Sequence, residues 1–119
     1  MAQYFKRHID AYLEEWKDSP NRKPLLVRGA RQVGKSSAIR HLGEHFKYFV
    51  EINLERQKNI KPLFGENLDV RKLCSQLSAI YNTPIIPGET LLFIDEIQES
   101  QRAISSLRYF YEDYPELHV

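Results

Sequence analysis

The sequence predicts an α/β protein, a parallel sheet covered by helices, and three observations predict it. Strand-like apolar segments at 24–28, 48–54 and 90–95 alternate with segments whose apolar residues recur every three or four positions. The first strand-like segment runs directly into a glycine-bearing loop, 29–36, that opens a helix. The last is almost continuously apolar and ends on two acids, which suits a strand covered on both faces.

Taken in order, Phe5, Ile9, Tyr12, Leu13 and Trp16 lie on one face of an N-terminal helix that Pro20 and Asn21 interrupt. PLLVR at 24–28 reads as a buried strand entering a tight loop. From Lys35, helical spacing returns at Ala38, Ile39, Leu42 and Phe46. YFVEINL at 48–54 has the aromatic and β-branched content of a second strand. Val70, Leu73, Cys74, Leu77 and Ile80 mark the next helix, with Asn67 or Asp69 as its cap. TLLFID at 90–95 follows a TPIIPG break, and Ser100 caps a final helix with Ala103, Ile104, Leu107, Phe110, Tyr111 and Tyr114 on one face. Strand–helix alternation calls for right-handed crossovers between parallel strands.

The 119 residues contain 17 Lys+Arg against 16 Asp+Glu, so the charge balance supplies no electrostatic case for nucleic acid or an anionic membrane as partner. One cysteine, Cys74, excludes an intrachain disulfide and fits a reducing cytosol. The N-terminus lacks the apolar core of a signal peptide, and no apolar run is long enough to span a bilayer, so the expected location is cytoplasmic.

Gly29-Ala30-Arg31-Gln32-Val33-Gly34-Lys35-Ser36 matches G-x-x-x-x-G-K-[ST] between a predicted strand and a predicted helix. Such a loop wraps a polyphosphate with its backbone N–H groups pointing inward, and the first turn of the next helix, including Ser37, adds unpaired N–H groups and a positive dipole end. Lys35 is expected to bridge the β- and γ-phosphates and Ser36 to ligate Mg²⁺. Arg31 is expected either to approach the γ-phosphate or a partner, or to stay solvated.

Asp95 and Glu96 sit at the C-terminal end of their strand, the end at which open α/β sheets bind ligands. Asp95 is expected to hold Mg²⁺ through its water shell and Glu96 to orient or deprotonate an attacking water. Gln98 has two readings, a contact to substrate or water and a capping role before Ser100.

RKPLLVRGARQVGKSSAIRHLG and TLLFIDEIQES together resemble the AAA-type P-loop ATPases of bacteria and archaea that carry a GxRQVGK[ST] loop, a DEIQ acidic strand and a separate C-terminal domain. The resemblance covers nearly the whole chain. It implies a three-layer α/β/α parallel sheet with an N-terminal helix at 1–20 and a nucleotide-binding core at 24–119. It also implies an ATP and Mg²⁺ site in which Gly29, Gly34, Lys35 and Ser36 form the nucleotide loop and Asp95 and Glu96 are the metal-binding and catalytic carboxylates. In that family a fourth strand with a γ-phosphate sensor follows the position of LHV and lies between the loop strand and the acidic strand. The chain therefore reads as an N-terminal part of such a domain, truncated before that strand, with 24–28 and 90–95 either pairing directly or leaving open sheet edges. Two functions follow: ATP binding, with Mg²⁺-dependent hydrolysis in the complete protein, or a non-catalytic module that self-associates through those edges.

Other constellations are weaker. His41 and His45 have a metal-compatible spacing but no third ligand, which favours a solvated helix face. Cys74 falls on an apolar stripe and reads as core. Tyr109, Phe110, Tyr111 and Tyr114 read as core with a tyrosine rim rather than as a base-stacking platform. Tyr4 and Phe5 are candidates for bordering an adenine pocket, with helix packing as the alternative.

Overall fold

A computed structural model of the chain describes residues 8–27 and 34–119. The two strands with the strongest apolar and β-branched content, β1 (Tyr48–Asn53) and β2 (Thr90–Asp95), pair in parallel and in register, from Tyr48 opposite Thr90 to Asn53 opposite Asp95. Because side chains alternate along a strand, Val50, Ile52 and Leu92 face one side while Leu91, with Phe49 packed beside it, belongs to the other. Each face is buried by a pair of helices, which is the expected three-layer α/β/α arrangement.

On one face lie α1 (His8–Asp18) and α2 (Lys35–Gly43), where Leu13, Ala38, Leu42 and Leu91 form a small core. α2 approaches the sheet closely because position 43 has no side chain: a methyl group there would meet the Phe49 ring at 2.7 Å. Arg40 of α2 also forms a two-pronged ion pair with Glu51 of β1, at 2.9 and 2.7 Å. That hydrogen-bonded partner holds the guanidinium above its ordinary pKa.

The opposite face carries the larger core. α3 (Val70–Tyr81) buries Val70, Leu73, Cys74 and Leu77, and α4 (Gln101–Asp113) buries Ala103, Ser106 and Phe110. Both starts are capped as the sequence suggests, since Asp69 accepts the N–H groups of Arg71 and Lys72 and Ser100 accepts that of Ala103. Burial pushes the Cys74 thiol up to about 12, so it stays protonated and acts as a small apolar side chain.

Three expectations change. Tyr12, Ile80 and Tyr111, each placed on a core-facing helical stripe, are 60%, 52% and 44% exposed. They lie at the margins of their stripes, and in α3 the adjacent Tyr81 packs against the core instead of Ile80. Residues 22–27 form no regular strand. Leu25 makes one sheet-like bond, donating its N–H to the Val119 carbonyl at 2.9 Å, and Arg28 lies outside the described residues.

The third change concerns the middle of the sheet. Segment 24–27 does not pair with β2; the chain's last residues lie between them. His118 forms a parallel bridge with Leu91 and accepts the Leu92 N–H at 2.9 Å, so LHV itself enters the central position. His118 is wedged edge-on between Trp16 and Phe46, with ring centroids 5.5 and 4.9 Å away, which ties this segment to α1. Beyond Val119, residues 25–27 and the Phe93–Asp95 end of β2 face each other across a groove of about 390 Å³. By alternation along β2, the Ile94 N–H points the same way as that of Leu92, into the groove.

Candidate functional site

The register of β1 and β2 brings their C-terminal residues, Asn53 and Asp95, side by side at one sheet edge. α2 begins at the same edge. Its N-terminal flank, Gly34, has φ 76° and ψ 22°, a left-handed conformation that glycine adopts without steric cost. The first intrahelical bond runs from the Ala38 N–H to the Gly34 carbonyl at 3.0 Å, so the N–H groups of Lys35, Ser36 and Ser37 have no partner within the helix. Those three groups and the dipole give this end an affinity for anions.

Opposite them stands Asp95, only 7% exposed. Its Oδ1 accepts the Glu96 backbone N–H at 2.9 Å, and its Oδ2 accepts the Ser36 hydroxyl at 3.5 Å. Residues 59 positions apart in sequence thus share one hydrogen bond. A hydroxyl and a carboxylate are hard-oxygen donors of the kind Mg²⁺ prefers.

Glu96 follows in an unusual backbone state, φ 56° and ψ 43°. A non-glycine residue held there stores strain, on the order of 1–3 kcal/mol, and such strain concentrates at functional sites. The conformation turns the chain sharply from β2 into the short 3₁₀ turn Ile97–Glu99. Gln98 donates from Nε2 to Glu96 Oε2 at 2.7 Å and lines the larger groove beside it.

Two cavities meet at Lys35 and Glu96, which line both. The larger is the 390 Å³ groove already described, walled by Leu25, Val27 and Ile39 on one side and Gln98 on the other. The smaller, about 180 Å³, is lined by Lys35, Ser36, Asn53, Glu55, Arg56 and Glu96. The structure therefore gathers Gly34, Lys35, Ser36, Ser37, Asp95 and Glu96 at one edge. Gly29, Ala30, Arg31, Gln32 and Val33, like Tyr4 and Phe5, lie outside the described residues. Asn53, Glu55 and Arg56 were not singled out by sequence reasoning; the available signal was a run of polar residues immediately after a strand parallel to the acidic one.

His41 and His45 meet edge-to-face with centroids 5.8 Å apart, and His41 Nδ1 lies 3.4 Å from Glu44. Among the described residues no three His, Cys, Asp or Glu side chains cluster in a way that could hold a metal ion. No described helix is long and apolar enough to cross a membrane.

A family model described as an AAA domain matches residues 21–119. No curated protein and no solved structure matches the chain.

Proposed function

The chain belongs to the AAA domain family, a nucleotide-binding, ATPase-type family, and on that premise we propose that it binds ATP with Mg²⁺ and that the complete domain hydrolyses the terminal phosphoanhydride. The observation that carries this reading is the meeting of Ser36 with Asp95, at 3.5 Å, beside two cavities that share Lys35 and Glu96. On this reading the loop residues Gly29, Ala30, Arg31, Gln32, Val33 and Gly34 would bind the phosphates together with the N–H groups of Lys35, Ser36 and Ser37. Mg²⁺, when bound, would supply neutralisation of the phosphate charge.

The side chains then divide the work. Lys35 places its ammonium against the β- and γ-phosphate oxygens, where charge builds in the transition state. The Ser36 hydroxyl and the buried Asp95 carboxylate would hold the metal. Glu96 takes the proton of the water whose oxygen bonds to the γ-phosphorus as the bond to the β,γ-bridging oxygen breaks and ADP leaves. The single buried thiol is in keeping with a reducing, cytosolic setting.

Titration calorimetry with ATP and Mg²⁺ tests the assignment. Lys35→Ala is expected to abolish binding, whereas Glu96→Gln retains binding and loses turnover in the complete domain; unchanged binding in the lysine variant defeats the assignment.

The groove between residues 25–27 and the end of β2 favours a second reading, a non-catalytic module. The β2 N–H that faces this groove can pair with a strand of a second copy. Light scattering across a concentration series is expected to show dimers on this reading, and a monodisperse monomer eliminates it.

A further inference from the structure

After β1 the chain enters a turn whose shape Asn53 dictates. Its Oδ1 accepts the N–H groups of Glu55 and Arg56 at 3.0 and 3.1 Å, and its carbonyl accepts the Gln57 N–H at 2.8 Å. The Gln57 side chain closes the turn by accepting the Asn53 N–H at 2.9 Å. Four hydrogen bonds thus fix the backbone that carries Arg56, and they fix it at the sheet edge where Asp95 ends β2.

The arginine is unusual in this molecule. Among the described residues, Arg22, Arg40, Arg71, Arg102 and Arg108 each bind a carboxylate or a backbone carbonyl. Among these six, only the guanidinium of Arg56 has no hydrogen-bond or ion-pair partner, although Arg56 lines the 180 Å³ cavity with two carboxylates, Glu55 and Glu96. Lys35, across the same cavity, is likewise without an ion pair among the described residues.

Two cations facing one small space, beside the N–H groups that open α2, select an anion. The space is too small for a nucleoside and is sized for a phosphoryl group with a few waters, each occupying about 30 Å³. The cavity is also lined by two carboxylates, Glu55 and Glu96, which balance the two cations and suit a phosphate that arrives with a metal and a water. A planar guanidinium matches phosphoryl oxygens with two parallel N–H donors.

We propose that Arg56 binds the terminal phosphoryl group of the nucleotide from within the same chain, and so distinguishes a nucleoside triphosphate from a diphosphate. This rests on the nucleotide-binding reading above. The test is calorimetric measurement, in Mg²⁺, of the affinity of the unaltered chain, Arg56→Ala and Arg56→Lys for ADP and for a non-hydrolysable ATP analogue. Arg56→Ala is expected to weaken the analogue by about 10- to 100-fold, the scale of a charge-assisted hydrogen bond, and to leave ADP within about twofold. Arg56→Lys is expected to recover part of the loss. Equal effects on both nucleotides, or none, overturn the role of Arg56 while nucleotide binding stands. If the unaltered chain binds neither nucleotide, both readings fall.

Discussion

Replacing Asp95 by asparagine separates the chemistry of the site from its architecture. The carboxylate is buried and spends one oxygen on the Glu96 N–H and the other on the Ser36 hydroxyl. Asparagine has the same shape; its Oδ1 can still accept the Glu96 N–H, and its amide can donate to Ser36 Oγ, which then serves as acceptor. Both contacts survive, so stability is expected to stay within about 1 kcal/mol of the parent, the net worth of one such bond. What disappears is the negative charge. A unit charge about 4 Å from another gains about 4 kcal/mol at an effective dielectric near 20, and a dication doubles that gross attraction, most of it offset by desolvation. Substitutions one shell out from a metal typically leave a net loss of about 10- to 100-fold in metal affinity. The assay is nucleotide binding by Asp95→Asn across a Mg²⁺ titration, with thermal melting as the control for folding. A folded variant whose Mg²⁺ midpoint is unmoved would refute the metal role of Asp95.

Two further predictions concern the scaffold. Leu77 is wholly buried at the centre of the α3 side of the core, so Leu77→Ala is expected to cost about 2–5 kcal/mol, read by urea unfolding; a loss below 1 kcal/mol contradicts the packing described. Burial lowers the His118 imidazole from its ordinary value of 6.5, with Arg22 and Lys17 adding to the effect against a hydrogen bond that the imidazole donates to the Lys17 carbonyl and the opposing charge of Asp18. The unfolded chain therefore takes up this proton first, so the contribution of neutral His118 is complete above pH 6.5 and is lost as pH falls toward the lowered folded-state value. One such proton steepens the stability profile by at most about 1.4 kcal/mol per pH unit; His118→Gln is expected to flatten melting temperature against pH between 7 and 5, and an unchanged slope counts against the account.

Much of this was legible locally. The apolar, β-branched runs at 48–54 and 90–95 are strands because their side chains satisfy two buried faces, and Asp69 and Ser100 cap because each has a short acceptor just before an apolar helical stripe. Stripe margins were less legible: spacing places Ile80 and Tyr111 within an arc, but only the neighbouring helices determine where that arc leaves the core.

By itself the sequence determined the G-x-x-x-x-G-K-[ST] motif, the acidic strand end and the alternation of strand and helix, since each depends on residues adjacent in the chain. The tertiary structure decided what occupies the middle of the sheet and that Arg56 shares a cavity with Lys35. These depend on which strand ends lie side by side. Register and crossover set that, and no local pattern encodes it.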